Sequence, residues 1–177
     1  GDRLQQLLAA FEVGPIFYQP CSRDPKQARA EVDSVMELDS DRIGIKLLAQ
    51  SQLFAVGAEL VAEKISVAMT GVYSAAQAVL AHDIGATYVI PYVDRARRMM
   101  PDQPSVVRTI REVIDARSSV TEILAASLKS PEQVVESLCD GAHEASASLE
   151  VLIAMADHPL TQSAGAEFDQ AASQLGK

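Results

Sequence analysis

Short apolar runs rich in β-branched residues alternate with amphipathic stretches along the whole chain. Runs such as Ile43–Ile45 and Tyr88–Ile90 are almost continuously apolar, which is typical of parallel strands covered on both faces. Strand–helix alternation at this spacing predicts βαβ units and therefore an α/β fold built on a parallel sheet. The predicted strands are Pro15–Cys21, Arg42–Ala49, Ile65–Gly71, Ala86–Val93, Ser119–Ser127 and Ala142–Leu149.

The segments between these strands carry apolar residues at three- and four-residue spacing, which is the pattern of amphipathic helices. In the first of them, Ala28, Val32 and Val35 fall on one face. In the last, Ser130 stands at a favoured N-cap position and Pro131 at the first helical position. The predicted helices are Pro25–Leu38, Ser51–Lys64, Ser74–Ala81, Pro104–Ala116 and Pro131–Leu138.

The whole chain, residues 1–177, has the length of one domain, since a domain usually has roughly 100–200 residues. Three further segments complete the prediction. Gly1–Val13 is predicted to be a helix. Arg95–Pro104 is predicted to be a long connection, and such connections are often functional. The Ala-rich helix Ala164–Leu175, within residues 160–177, fits two arrangements equally well: it caps its own barrel, or it packs on a neighbouring copy.

The charge of the chain limits its partners. It has 24 acidic and 15 basic side chains and a formal charge of −9, whereas nucleic acid requires a basic binding face. No apolar run approaches the roughly 20 residues of a membrane-spanning helix, and the first residues lack the basic stretch and apolar core of a secretion signal. We therefore expect no nucleic acid, no membrane span and a cytoplasmic location, with the plastid stroma as the alternative.

The motifs of several common sites are missing. Neither GxGxxG nor GxxxxGK[ST] occurs, which counts against a nucleotide-binding sheet, and no GxSxG elbow supports a hydrolase. His82, His143 and His158 lack the spacing of metal ligands. Cys21 and Cys139 are too few for a disulfide framework, and we predict buried thiols in a reducing compartment. No metal and no cofactor are expected.

Lys46 is the most unusual residue for its position, because it stands in the middle of an apolar strand. Burial disfavours a charged ammonium, and a neutral amine is what Schiff-base formation requires. The alternative is a lysine that reaches solvent at the strand end or pairs with a carboxylate. Taken alone, the residue leaves both interpretations open.

Polar side chains also stand near the carboxyl ends of predicted strands, where a barrel enzyme has its site. Gln19, Thr70 and Ser127 hold such positions, and Tyr92 and Arg95 follow the fourth predicted strand. Each is a weak indication by itself. Arg95, for instance, fits a surface ion pair with its neighbour equally well.

All of these positions except Gln19 belong to four segments that together carry a family resemblance. In their order and spacing the segments resemble the transaldolase family, most closely its small branch, which includes fructose 6-phosphate aldolase. The resemblance extends from about Gly14 to the C-terminus. It implies a (β/α)₈ barrel that forms a Schiff base between a lysine and a dihydroxyacetone unit, as class I aldolases and transferases of the pentose phosphate pathway do. The segments are Ile45–Lys46, Met69–Gln77, Gly85–Arg95 and Leu124–Ser127.

The resemblance implies roles for the candidate residues. Lys46 would be the Schiff-base lysine, on the fourth strand of a complete barrel. Gln19 and Tyr92 would hold and activate the catalytic water, with Tyr92 as the proton shuttle. The remaining candidates would contact the sugar phosphate: Thr70 as a pocket lining, Arg95 and Ser127 as phosphate ligands.

Two departures from the family pattern limit this interpretation. Lys46 is followed by Leu47–Ala49, where the family usually has a proline and a threonine. No residue matches the family's aspartate of strand one or asparagine of strand two, so we expect an incomplete barrel of about six βα units. Its open edge at Pro15–Cys21 would be covered by another chain or a further segment, in a homo-oligomer for example. The alternative function is a non-catalytic barrel remnant that serves as a structural or interaction subunit.

Overall fold

The computed structural model describes residues 2–10 and 14–175 and is built around one curled parallel sheet. Within the described residues the sheet has six strands, and their order across the sheet is their order along the chain. This order follows because each strand–helix–strand unit returns beside the strand it left. The predicted incomplete α/β barrel is therefore confirmed as a half-barrel. Its strands are β1 (Ile16–Tyr18), β2 (Ile43–Leu48), β3 (Val67–Val72), β4 (Tyr88–Pro91), β5 (Glu122–Leu128) and β6 (Glu144–Ala147).

Helices follow the strands, and four of them begin at a polar cap. The side chains of Asp24, Ser74, Ser105 and Ser130 each accept a hydrogen bond from the backbone N–H three residues further on, which satisfies a donor that the first helical turn leaves free. The helices are α1 (Asp2–Ala10), α2 (Pro25–Met36), α3 (Ser51–Ala62), α4 (Ala75–Asp83), α5 (Val93–Met99), α6 (Val106–Ala116), α7 (Pro131–Cys139), α8 (Leu149–Ala156) and α9 (Pro159–Leu175). Residues 1 and 11–13 of the first predicted helix, and residues 176 and 177, lie outside the described part of the chain.

The two faces of the sheet differ in what covers them. Side chains of one parity, such as Ile45, Met69 and Ile123, are buried against the helices and form the core. Side chains of the other parity lie on the opposite face, which we call the concave face, and several, such as Lys46 and Tyr88, are only half-buried. Because the side chains of a strand alternate between its faces, the apolar core and the polar concave face come from the same strands.

The edges of the sheet remain open within the described residues. There β1 pairs only with β2, and β6 only with β5. The open edge predicted at the first strand is therefore present. Its coverage by another chain stays a prediction.

Two aromatic rings meet across the concave face. Phe17 on β1 and Tyr88 on β4 are in T-shaped contact, with ring centroids 5.8 Å apart. The strands between them carry Gly44, paired with Phe17, and Ala68, paired with Tyr88. These small residues leave the space that the rings occupy: a Cβ added at Gly44 would lie 2.5 Å from the Phe17 ring. The contact thus depends on the curl of the sheet and on the missing side chain at Gly44.

Three sequence predictions need correction. Arg95–Pro104 is not one long connection, because its first half continues α5, which is stabilised by an Asp94–Arg98 ion pair and the burial of Ala96. The last predicted strand, Ala142–Leu149, ends at Ala147, and α8 begins at Leu149. The predicted buried thiols, Cys21 and Cys139, are both exposed: Cys21 lies in the connection after β1, and Cys139 is the last residue of α7.

Among the described residues, no helix is long and apolar enough to cross a membrane. Nor does any group of three or more His, Cys, Asp or Glu side chains in that part of the chain come close enough together to hold a metal ion.

Substitution of Gly44 tests the ring contact. Gly44→Ala is expected to reduce the free energy of unfolding by about 1–3 kcal/mol, the usual cost of overpacking a tight site. Denaturant unfolding measures this change. Gly165→Ala is the matched control, because nothing lies within 4 Å of a Cβ added there and alanine is the better helix residue. Equal effects of the two substitutions would contradict the packing argument.

Candidate active site

The carboxyl ends of β3 and β4 bring the first two candidate residues together. Thr70 is fully buried near the end of β3, and Tyr92 directly follows β4. The Thr70 hydroxyl donates a hydrogen bond to the Tyr92 phenol oxygen over 3.4 Å. Because the phenol oxygen accepts this bond, its own proton is free for another partner.

Arg95 joins the same group through the first turn of α5. Its guanidinium lies 5.2 Å from the centroid of the Tyr92 ring, a cation–π contact, and it donates to the Tyr73 phenol oxygen over 3.5 Å. The rings of Tyr73 and Tyr92 are in T-shaped contact at 6.1 Å. Asp94 does not pair with Arg95, because its carboxylate accepts from Arg98 Nε at 2.8 Å. Arg95 is exposed, and within the described residues its guanidinium contacts Tyr73 and Tyr92 and no carboxylate.

Lys46 lies on the concave face, one cross-strand row (two residues) further from the carboxyl ends of the strands than Thr70. It pairs with Ala68, and Leu48, two residues further on, pairs with Thr70. From ordinary strand spacings, the Cα atoms of Lys46 and Thr70 are therefore about 8 Å apart along a diagonal. Lys46 is half-buried rather than enclosed, because the concave face is open at its edges.

Ser127 has an unusual backbone conformation near the end of β5. An isolated parallel bridge joins Tyr92 to Ala126, so Ser127 lies one residue beyond Tyr92's own partner. Ser127 has φ +61°, a left-handed conformation that costs a residue with a side chain of the order of 1–3 kcal/mol. Such strain is characteristic of functional positions.

Gln19 stays apart from the other candidates. It follows β1, which ends at Tyr18, and its side chain is exposed. No hydrogen bond joins that side chain to another described residue. The structure thus brings Thr70, Tyr92 and Arg95 into one connected set, which we call the rim cluster, and places Lys46 and Ser127 beside it.

Two residues of this region escaped the sequence interpretation. Tyr73 contacts both Tyr92 and Arg95, and its place within the Met69–Gln77 segment was the only available signal. Tyr88 lies in the same cross-strand row as Lys46, through Ala68. Burial, followed by the negative charges of Glu144 and Glu122, raises the pKa of the Tyr88 phenol. No local pattern shows that these carboxylates, on β5 and β6, share a face with Tyr88.

Comparison with known proteins gives one family. The model of the transaldolase/fructose-6-phosphate aldolase family matches residues 5–177. The chain belongs to this family.

Its curated relatives are named probable transaldolases. The protein of Heliobacterium modesticaldum is 34% identical over 156 residues, which are 88% of this chain and 72% of that protein. The protein of Clostridium kluyveri is 35% identical over 149 residues, covering 84% and 68%. The protein of Maridesulfovibrio salexigens is 29% identical over 172 residues, covering 97% and 80%. This transaldolase-family chain therefore matches most of its own length to proteins that are somewhat longer.

Proposed function

We propose that the chain is a Schiff-base aldolase or transferase that moves a dihydroxyacetone unit between sugar phosphates. The observation that carries the proposal is the position of Lys46, on the concave face of a parallel sheet and one row below the rim cluster. Barrel enzymes have their sites at the carboxyl ends of their strands. The family membership of the chain supports the same chemistry.

In this reaction Lys46 Nζ attacks the carbonyl carbon of the ketose phosphate, and the carbonyl oxygen leaves as water. The hydroxyl on the carbon β to the iminium then loses its proton to water and becomes the carbonyl of the leaving aldehyde. The bond between the α and β carbons breaks, and its electron pair passes to the iminium to give an enamine. Attack of the three-carbon enamine on an acceptor aldehyde, with protonation of the new hydroxyl, gives transfer once water hydrolyses the resulting iminium. Protonation of the enamine carbon followed by the same hydrolysis gives free dihydroxyacetone. Each course needs an amine that can be neutral at the moment of attack.

Proton transfer falls to Tyr92. Its phenol oxygen is fixed by the Thr70 hydroxyl, and its proton is free to move to and from the water released or consumed at the imine. Gln19 would help to hold that water from the end of β1. General acid–base catalysis by a positioned side chain of this kind typically contributes about 10²–10⁴-fold in rate.

The phosphate group would bind at Arg95 and Ser127. A guanidinium offers a planar set of donors that fits phosphate oxygens, and the cation–π contact holds Arg95 in place. The formal charge of −9 means that the molecule as a whole repels anions, so a local cation is needed to bind one. Sugar phosphates of the pentose phosphate pathway are the corresponding substrate class.

We also propose that the chain forms a homo-oligomer through its last two helices. Apolar side chains are exposed there, among them Leu152 and Ile153 on α8 and Leu160 and Phe168 on α9. Exposed apolar patches of this kind mark interaction sites. A cytoplasmic location stays a prediction.

Covalent trapping tests the Schiff base. Borohydride added with fructose 6-phosphate is expected to attach the sugar to Lys46, as measured by mass spectrometry of peptides. Lys46→Arg should lose both the adduct and turnover while the fold persists, because a guanidinium does not form the imine. Lys26→Arg, on the exposed surface of α2, should change neither. A folded wild type without adduct or turnover would favour the non-catalytic barrel remnant.

Two substitutions test the phosphate site. Arg95→Ala should weaken sugar-phosphate binding by roughly 1.5–3 kcal/mol, the range for a hydrogen bond to a charged group, and Ser127→Ala by about 0.5–1.5 kcal/mol. Titration calorimetry measures both. Arg97→Ala is the control from the same helix, since Arg97 is exposed and pairs with Glu136 at 3.2 Å. Unchanged affinity in the first two variants would exclude a phosphate site here.

Sedimentation velocity tests the assembly. Wild type is expected to sediment as a dimer or larger, and Phe168→Glu to shift it toward the monomer, because a carboxylate at an apolar contact loses its hydration. Thr161→Glu, at an exposed polar position of α9, should have little effect. A monomeric wild type would contradict the proposal.

A further inference from the structure

Two helices at the carboxyl edge of the sheet begin with the same arrangement of side chains. The motif is Ser-x-x-Gln, with Ser74 and Gln77 opening α4, and Ser130 and Gln133 opening α7. Each serine accepts from the backbone N–H of its glutamine, over 3.4 and 3.3 Å. Each glutamine is half-buried. The serine contact is one half of a capping box, whose other half is a Glu or Gln side chain that accepts from the backbone N–H of the cap residue.

The carboxamides do more than cap. The oxygen of Gln133 accepts from the backbone N–H of Lys129 at 2.7 Å, while its NH₂ group donates to the Asp94 carboxylate at 3.3 Å. The oxygen of Gln77 likewise accepts from the backbone N–H of Tyr73 at 2.9 Å, and its NH₂ group donates to the Ala49 carbonyl at 2.9 Å. A carboxylate could supply the acceptor but not the donor, so glutamine is required at both places.

Each glutamine therefore ties its own loop to the loop after an earlier strand. Gln77 joins the end of β2, the strand of Lys46, to the loop after β3. Gln133 joins the first turn of α5 to the loop after β5. These two segments adjoin the two proposed phosphate ligands: Asp94 is the neighbour of Arg95 in α5, and Lys129 stands two residues after Ser127, which lies near the end of β5.

Gln133 is well placed to fix both ligands. The Asp94 side chain that it contacts is only 13% exposed, and the hydrogen bond from Arg98, followed by that from Gln133, lowers the pKa of this carboxyl group. On the other side, its bond to Lys129 restrains a segment that already holds Ser127 in a left-handed conformation. Loss of the carboxamide would free both loops at once.

We propose that Gln133 is a positioning residue for phosphate binding, because its carboxamide joins the first turn of α5, which carries Arg95, to the residue that follows the end of β5, where Ser127 lies. Gln77 does the same for the loops after β2 and β3 and serves the Lys46 side of the site. The inference rests on the function proposed above. It goes further because it assigns the support of the phosphate ligands to Gln133 and the support of the Lys46 side of the site to Gln77.

The first experiment compares steady-state kinetics on fructose 6-phosphate, with inhibition by inorganic phosphate measured in parallel. Gln133→Leu should raise both the KM and the phosphate inhibition constant about tenfold and leave kcat within twofold. Gln77→Leu removes the corresponding hydrogen bonds to Ala49 and Tyr73, after β2 and β3. It should lower kcat and change the phosphate inhibition constant less than threefold. If both variants changed KM, kcat and the phosphate inhibition constant in the same way, the assignment of separate roles to Gln133 and Gln77 would be overturned.

The second experiment rescues the contact and so separates positioning from general loss of structure. Gln133→Glu keeps the acceptor for Lys129 but opposes a second carboxylate to Asp94, so phosphate affinity should fall. Adding Asp94→Asn restores a donor–acceptor pair and should recover affinity to within threefold of wild type. Asp94→Asn alone should fall between wild type and Gln133→Glu, because its single amide oxygen can replace the carboxylate oxygen that faces Arg98 or the one that faces Gln133, but not both. A double variant as weak as Gln133→Glu would overturn the inference.

Direct binding of inorganic phosphate, followed by calorimetry, distinguishes this inference from the function on which it rests. A wild type that neither turns over the sugar phosphate nor binds phosphate overturns both. A wild type that turns over the sugar phosphate and binds phosphate, with phosphate affinity unchanged in Gln133→Leu, overturns the positioning role alone.

Discussion

The alternation of side chains along paired parallel strands governs the rest of this structure. One parity is buried against the helices and supplies the apolar core, as Ile45 and Met69 do. The alternate side chains, polar or apolar, are thereby directed to the concave face. Lys46 stands on that face because its neighbours Ile45 and Leu47 are committed to the core. A slip of one residue in register would exchange the two sets, so the apolar core also fixes the position of the amine.

The rim cluster depends on a second constraint, the order of the strands. Since neighbours in the sheet are neighbours in the chain, the residues after β3, β4 and β5 meet at one edge. The contacts there combine weak interactions: a 3.4 Å hydrogen bond, a cation–π contact and ring edges. None is strong alone, and the contacts of the half-buried glutamines beside them restrain the neighbouring segments of the chain. Rigid support of this kind is what a precise site requires.

The concave face also carries a polar group that the mechanism does not use. Tyr88 contacts Phe17 across the sheet and donates to Glu144 over 3.4 Å. Tyr88 lies in the same cross-strand row as Lys46, so this part of the concave face carries an aromatic ring and, beyond it, an acidic side chain. The open edges of the sheet leave Lys46 and Tyr88 half-buried. A segment that covered them would strengthen every charge interaction on the face, because it would exclude water.

The sequence by itself determined the strands, their parallel pairing, most helices and the family resemblance, because these follow from local periodicity and motif spacing. It also placed Lys46, Thr70, Tyr92, Arg95 and Ser127 at strand positions that the structure then brought to one region. Only the tertiary structure decided which partner each side chain takes. Arg95 contacts Tyr73 and Tyr92 while Asp94 pairs with Arg98, and Gln133 reaches Asp94 across 39 residues. Such choices depend on loop geometry and on distances between elements far apart in the chain, and no local pattern records them.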